Sequence, residues 1–178
     1  MNLQRWKKLS EKTVFKNSHW SYNLDEFEIE GKTKGEYHYV HTLGSTMVVP
    51  FLSENEIVLV KQFRYLNQKE SAEFPCGSIV DGLNKLENAI KELREETGYS
   101  AELEFVGEFS PYTGASDEMC TVYLGRKLKY SPLPQDLTED CKSFILNVNE
   151  FENLIKQNKI WDGLTLSAWL LVKNYLSF

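Results

Sequence analysis

The chain has 178 residues, of which 42% are hydrophobic and 13% aromatic, enough for one domain with a sizeable core. Its formal net charge of −6 argues against a broad surface for nucleic acid, and no apolar run approaches the roughly 18 residues of a membrane span. Cysteines without metal-ligand spacing, and an N-terminus without an apolar signal core, predict a soluble cytoplasmic protein with reduced thiols.

The first quarter of the chain carries strand signals and little helix to cover them. The segments with these signals are residues 13–15, 20–29 and 36–43, with a turn over residues 31–35. We therefore predict an N-terminal antiparallel β meander over residues 1–43 and a main domain over residues 44–178. The aromatic side chains of the meander need burial, either against a second subunit or on the chain's own core.

The main domain begins with strands. Residues 45–52 and 56–63 are apolar enough to be central strands, and residues 70–75 are a shorter one. A helix follows, with Asn84 as its N-cap and Gly98 just past its C-terminus. Its predicted core-facing stripe consists of Leu86, Ala89, Ile90 and Leu93.

The remaining elements alternate between strand and helix. Residues 101–109 predict a strand with a bulge near Val106 and Gly107. The later elements are a loop at 110–116, a strand at 118–128, a loop at 129–143, a strand at 144–148 and helices at 149–158 and 164–175, with Asn149 and Thr165 as their caps. Strands with helices on both sides of a mixed sheet give an α/β sandwich.

Three acids cluster at the end of the first helix. Glu92, Glu95 and Glu96 share one face beside the apolar stripe, where like charges repel by roughly 0.2–0.5 kcal/mol per pair. A divalent cation would supply the missing positive charge, and carboxylate oxygens suit a hard ion such as Mg²⁺ (or Mn²⁺). A solvated acidic face partnered by Lys91 and Arg94 is the alternative interpretation.

The stretch around these acids resembles the Nudix box, G-x5-E-x7-R-E-U-x-E-E-x-G-U, where U is bulky and apolar. Gly77, the three glutamates, Gly98 and Tyr99 fit this pattern without a gap. Two positions depart from it, since Leu83 replaces the first Glu and Lys91 replaces the Arg. The resemblance implies the Nudix fold, an α/β/α sandwich with a mixed sheet, and three glutamates that carry a metal.

Motifs outside the box resemble the ADP-ribose and nucleotide-sugar pyrophosphatase branch of that family. KQFRY is similar to Q-[FY]-R-[YP] and contains Arg64, and EFPCG is similar to E-x-P-A-G and contains Glu73. PYTGASDE is similar to S-P-G-x-S-D-E, with Thr113 in place of a Pro. In that branch the aromatic meander exchanges between the subunits of a dimer, so the resemblance also implies a homodimer.

The resemblance implies hydrolysis of the pyrophosphate bond of ADP-ribose or a related nucleoside diphosphate sugar. The three glutamates and the backbone carbonyl of Cys76 would hold the metal, which would neutralise the phosphates and acidify the attacking water. Glu95 and Glu96 are therefore also expected to be catalytic. Glu139, in the acidic loop before the last strand, is the implied general base, with Asp140 as the alternative.

Six residues are expected to contact the substrate: Arg64, Glu73, Trp20, Ser116, Asp117 and Glu118. Arg64 could grip a phosphate bidentately, although pairing with Glu73 on the surface is its ordinary alternative. Trp20 could stack on the base, with Tyr22 and Phe27 as weaker candidates, although such aromatics are more often part of a core.

Two other functions stay open at this point. The changes to Leu83 and Lys91 would suit a catalytically weakened Nudix domain that binds or senses nucleotide sugars. Hydrolysis of a dinucleoside polyphosphate or an oxidised dNTP is a further alternative. The intact glutamates favour hydrolysis over sensing, and the meander favours nucleotide sugars over nucleoside triphosphates.

Overall fold

A computed structural model describes residues 3–135 and 140–176 and contains two sheets and three α-helices within them. The strands are β1 (Lys7–Lys16), β2 (Ser21–Ile29), β3 (Thr33–His41), β4 (Ser45–Ser53), β5 (Glu56–Arg64), β6 (Lys69–Glu73), β7 (Cys76–Ser78), β8 (Tyr99–Phe109), β9 (Cys120–Tyr130) and β10 (Cys141–Asn147). The helices are α1 (Lys85–Thr97), α2 (Val148–Lys156) and α3 (Gly163–Tyr175), and Tyr65–Asn67 form a 3-10 turn. None of the helices in the described ranges is both long and apolar enough to cross a bilayer.

The larger sheet has seven strands in the order β10-β5-β4-β9-β8, with β6 beside β5 and β7 beside β4. Its central strand β4 runs parallel to β9 and antiparallel to β5 and β7. The sheet is therefore mixed, as the sequence predicts.

Both faces of β4 are buried, since Ser45 to Phe51 are all buried and successive side chains in a strand point to opposite faces. Met47, Val49 and Phe51 join the core cluster under α2 and α3. Val48 joins a smaller cluster with Ala89 and Leu93 of α1. Helices thus cover the two faces of one sheet, which confirms the predicted α/β/α architecture.

Helix α1 begins and ends where the sequence predicts. The side chain of Asn84 accepts from the backbone N–H of Glu87, whose own side chain accepts from the N–H of Asn84, so the capping box is complete. Gly98 ends the helix in the left-handed region, with φ of 77°.

The predicted apolar stripe of α1 is wrong in part. Leu86 is 42% exposed and Ile90 is half-buried, whereas the polar side chains of Asn88, Glu92 and Glu96 are buried. The helix is turned about its axis so that its acids, rather than two of its aliphatic residues, face the sheet.

Several predicted boundaries also need correction. Asn147 and Asp162 cap α2 and α3, instead of Asn149 and Thr165. Strand β1 extends well beyond residues 13–15, and β7 and the early start of β10 were not predicted. The bulge in β8 is confirmed, since the register with β9 shifts between Phe105 and Gly107.

The smaller sheet, in the order β1-β2-β3, is the predicted antiparallel meander. Among the described residues, none from this sheet belongs to either core cluster. Its aromatic side chains pack on each other instead, as when Trp6 stacks on Phe27 with ring centroids 4.4 Å apart. Trp6 and Phe15 each remain 54% exposed, so the chain's own core does not bury them.

Candidate active site

The carboxylate of Glu92 on α1 occupies the space where a side chain at Gly77 on β7 would lie. A Cβ atom added at Gly77 would lie closer than 3.0 Å to both carboxylate oxygens of Glu92, a separation that real Cβ atoms essentially never show. Only glycine therefore lets the Glu92 carboxylate lie against the backbone of β7.

The other two predicted acids also have specific partners. The backbone N–H of Cys76 donates to Oε2 of Glu96 over 3.2 Å. Lys91 Nζ lies 2.5 Å from Oε2 of Glu95 and 3.2 Å from Oε1 of Glu92. Burial opposes the charge of Lys91, but the bonds and charges of both glutamates outweigh it and raise the pKa of the ammonium above its ordinary value.

The donor types at this site fit a hard divalent cation. All of the predicted ligands are oxygens: three carboxylates and the backbone carbonyl of Cys76. A hydrogen bond with Cys120 and burial hold the pKa of the Cys76 thiol well above its usual range, so this thiol stays neutral. Within residues 3–135 and 140–176, however, no three acidic, imidazole or thiol side chains are gathered closely enough to hold an ion.

Asn88 positions the loop of the box, a role that the sequence analysis missed. Its Oδ1 accepts from the N–H of Val80 over 3.0 Å, and its Nδ2 donates to Oγ1 of Thr46 over 2.9 Å. It is fully buried. Asn88 lies four residues before Glu92, on the same face of the predicted helix as the acids, and this shared face was the available signal.

Arg64 and Glu73 form a bidentate pair. Nε of Arg64 donates to Oε1 of Glu73 over 2.8 Å, and Nη2 donates to Oε2. Glu73 is 1% exposed and also accepts from Nε2 of Gln62, whereas 40% of the Arg64 side chain remains exposed. Burial and the negative charge of Glu73 raise the pKa of nearby Asp162.

A cavity of about 580 Å³ lies where the meander meets the loop after Gly77. It is lined by residues 16–21, 41–43 and 78–81, which include Trp20. Its size is that of ordinary small-molecule sites. Since residues 77–81 are one continuous segment, the same piece of backbone borders both this cavity and the acidic face of α1.

Ser116, Asp117 and Glu118 join the meander to the main domain. Oδ2 of Asp117 lies 2.6 Å from Nδ1 of His41, and Oγ of Ser116 donates to the carbonyl of Val40 over 3.0 Å. Oγ of Ser45 donates to Glu118 over 2.7 Å. None of these three residues lines the cavity, and their contact with substrate stays a prediction.

The predicted general base, Glu139, lies outside the described residues. Its alternative, Asp140, is described and is exposed. The start of this loop is held against the end of α1, because Nε of Arg94 donates to the carbonyl of Ser131 over 2.7 Å.

Comparisons with known proteins agree with this architecture. The family model described as NUDIX domain matches residues 41–167. The methanol dehydrogenase activator of Bacillus methanolicus is 28% identical over 91% of this chain and 89% of its own length. The ADP-ribose pyrophosphatase of Bacillus subtilis (strain 168) is 28% identical over 91% of this chain and 92% of its own length.

Among solved structures, a crystal structure of an ADP compounds hydrolase superposes with a TM-score of 0.86. The match covers 99% of this chain and 97% of the other at 20% identity. It therefore shows that the fold is shared over nearly the whole length of both chains.

The contact between Gly77 and Glu92 can be tested by adding the missing methyl group. We expect Gly77→Ala to swing the flexible Glu92 carboxylate away and to weaken Mn²⁺ binding at least about tenfold, at a stability cost of no more than about 1 kcal/mol. Isothermal titration calorimetry and urea denaturation measure the two quantities.

Two further variants make this test specific. In the Glu92→Ala background, Gly77→Ala should cause little additional loss of Mn²⁺ affinity, because both changes remove the same ligand. Gly114→Ala is the matched control, since a Cβ there meets nothing within 4 Å. Unchanged Mn²⁺ affinity in Gly77→Ala would contradict the assignment of Glu92.

The pairing of Arg64 with the buried Glu73 generates a second prediction. Arg64→Met leaves the Glu73 charge buried without its cation, and we expect it to lower the free energy of unfolding by about 3 kcal/mol. The double variant Arg64→Met/Glu73→Gln should recover most of that loss. Lys61 lies on β5, as Arg64 does, and forms an exposed pair with Glu70 on β6. Lys61→Met, which breaks that pair, should cost no more than about 1 kcal/mol in urea denaturation.

Proposed function

The chain belongs to the Nudix family, and from this premise we propose that it is a divalent-metal-dependent pyrophosphatase of ADP-ribose or a related nucleoside diphosphate sugar. Water adds to one phosphorus, and the bridging oxygen leaves with the other. The products are a nucleoside monophosphate and a sugar phosphate.

The observation that carries this proposal is the arrangement of acids on α1. A helix selected for stability alone would not place three glutamates at its C-terminal end, where its dipole disfavours them. Here the carboxylate of Glu92 lies against the backbone of Gly77, and the carboxylate of Glu96 accepts a hydrogen bond from the backbone N–H of Cys76. A divalent cation held there would neutralise the pyrophosphate and acidify the attacking water.

The surroundings of α1 suit the two ends of such a substrate. The 580 Å³ cavity borders residues 78–81 and offers Trp20 as a flat surface for a base. The guanidinium of Arg64 is paired with Glu73, yet 40% of the Arg64 side chain remains exposed. An exposed guanidinium of fixed position suits a contact with phosphate. The name of the Bacillus subtilis relative supports ADP-ribose as the first substrate to test.

A substrate panel tests the proposal. ADP-ribose, ADP-glucose, GDP-mannose and dNTPs are incubated with Mg²⁺ or Mn²⁺, and phosphate is measured after coupling to a phosphatase. We expect turnover of ADP-ribose or another nucleotide sugar. Turnover of dNTPs alone would point to a different substrate class, and binding without any turnover would point to a sensor.

Glu96→Gln links the activity to the acids. We expect turnover to fall at least about 100-fold, because the variant loses a metal ligand and acid–base group while keeping an oxygen for the Cys76 N–H. Glu102→Gln on β8, where the side chain is 69% exposed, is the matched control and should keep full activity. Full activity in Glu96→Gln with an unchanged Tm would contradict the metal assignment.

We also propose that two copies associate through the meander. Contiguous exposed apolar surface marks protein interfaces, and Trp6 and Phe15 remain half-exposed beside other aromatic rings.

Trp6→Ser should weaken the dimer roughly thirtyfold, equivalent to about 2 kcal/mol, in sedimentation velocity. Leu170→Ser, an exposed residue on α3, should leave the dimer intact, and a monomeric wild type at micromolar concentration would exclude this interface.

A further inference from the structure

Lys91 stands at a box position where the family pattern has Arg. Its ammonium contacts two of the three proposed metal ligands, lying 2.5 Å from Glu95 and 3.2 Å from Glu92. The third ligand, Glu96, is held by the backbone N–H of Cys76. Lys91 therefore contacts one oxygen on each of two carboxylates that are proposed to bind a divalent cation.

An ammonium and a metal ion in this position oppose each other. Two cations that share the oxygens of Glu92 and Glu95 lie within a few ångströms, where like charges repel strongly in a partly buried site. Glu92 has only 9% of its side chain exposed, so solvent screens this repulsion weakly.

The chemistry of lysine makes displacement practicable. Its ammonium is a compact charge on a flexible four-carbon stem, whereas the planar fork of arginine holds carboxylates in a fixed bidentate geometry. The Lys91 side chain is 35% exposed, so it has a route to solvent once an ion takes its place.

We propose that Lys91 is an internal counter-ion that holds Glu92 and Glu95 together before metal binds and is displaced when the ion arrives. Lys91 stabilises the metal-free protein and lowers its affinity for divalent metal. This inference rests on the metal site of the proposed function. It makes Lys91 a positioning residue that sets the metal concentration at which the site fills.

The test measures metal binding without substrate. Lys91→Met keeps the length of the side chain and removes its charge. We expect the Kd for Mn²⁺, measured by calorimetry, to become at least about tenfold tighter. In EDTA, the Tm of the same variant should fall by about 2–4 °C, because the variant loses the contacts of Lys91 with Glu92 and Glu95 that offset their mutual repulsion.

Two control variants separate this role from a merely structural one. Lys91→Arg keeps the charge on a planar fork that is harder to displace, so its Kd for Mn²⁺ should equal or exceed that of wild type and never become tighter. Lys173→Met breaks a helical Lys–Glu pair of similar exposure against α2, where Lys173 Nζ lies 2.8 Å from Glu152. It should lower the Tm without changing the Kd for Mn²⁺.

The outcomes distinguish the inference from the function it rests on. Unchanged or weaker Mn²⁺ binding in Lys91→Met, with normal binding by wild type, would overturn the counter-ion role and leave the pyrophosphatase proposal standing. No Mn²⁺ binding by wild type at millimolar concentration would overturn both.

Discussion

The contact between a carboxylate and a glycine is the constraint on which the rest of the site depends. Because Glu92 lies where a side chain at Gly77 would be, α1 must sit directly over β7. That position turns Glu92 and Glu96 toward the sheet and leaves Leu86 42% exposed. It also brings Cys76 and Glu96 within hydrogen-bond distance. The placement of this one helix thus brings Glu92 and Glu96 against the backbone of residues 76 and 77.

Buried polar groups then hold the surroundings of this contact in place. Asn88 ties the loop after Gly77 to β4, and Glu73 holds Arg64 at the edge of the sheet. Such groups stabilise a fold only when each finds a partner, and they fix geometry more narrowly than apolar packing does. The meander is attached in the same polar way, through Asp117 and its bond to His41.

Sequence predicted what local spacing determines. Helical periodicity and capping fixed the ends of α1 and the common face of its acids, and alternation found the long strands. Strand β7 was missed because its three residues are too few to show an alternating pattern and are defined by pairing with Met47 and its neighbours. The burial of Asn88 and the double contact of Lys91 depend on tertiary packing, which overrides the apolar stripe. The cavity beside Trp20 draws on three separate segments, so no single stretch of sequence shows it.

The central strands of the larger sheet pair residues that are far apart in the sequence, whereas the residues of the candidate site are close together in it. Ser45 of β4 pairs with Cys120 of β9, far along the chain, whereas Gly77 and Glu92 are near neighbours in sequence. Closing a short loop costs less chain entropy than closing a long one. Folding is therefore biased toward early assembly of the segment from β4 to the end of α1. The nascent polypeptide can bring its acidic helix onto the glycine backbone before the strand that completes the sheet has emerged.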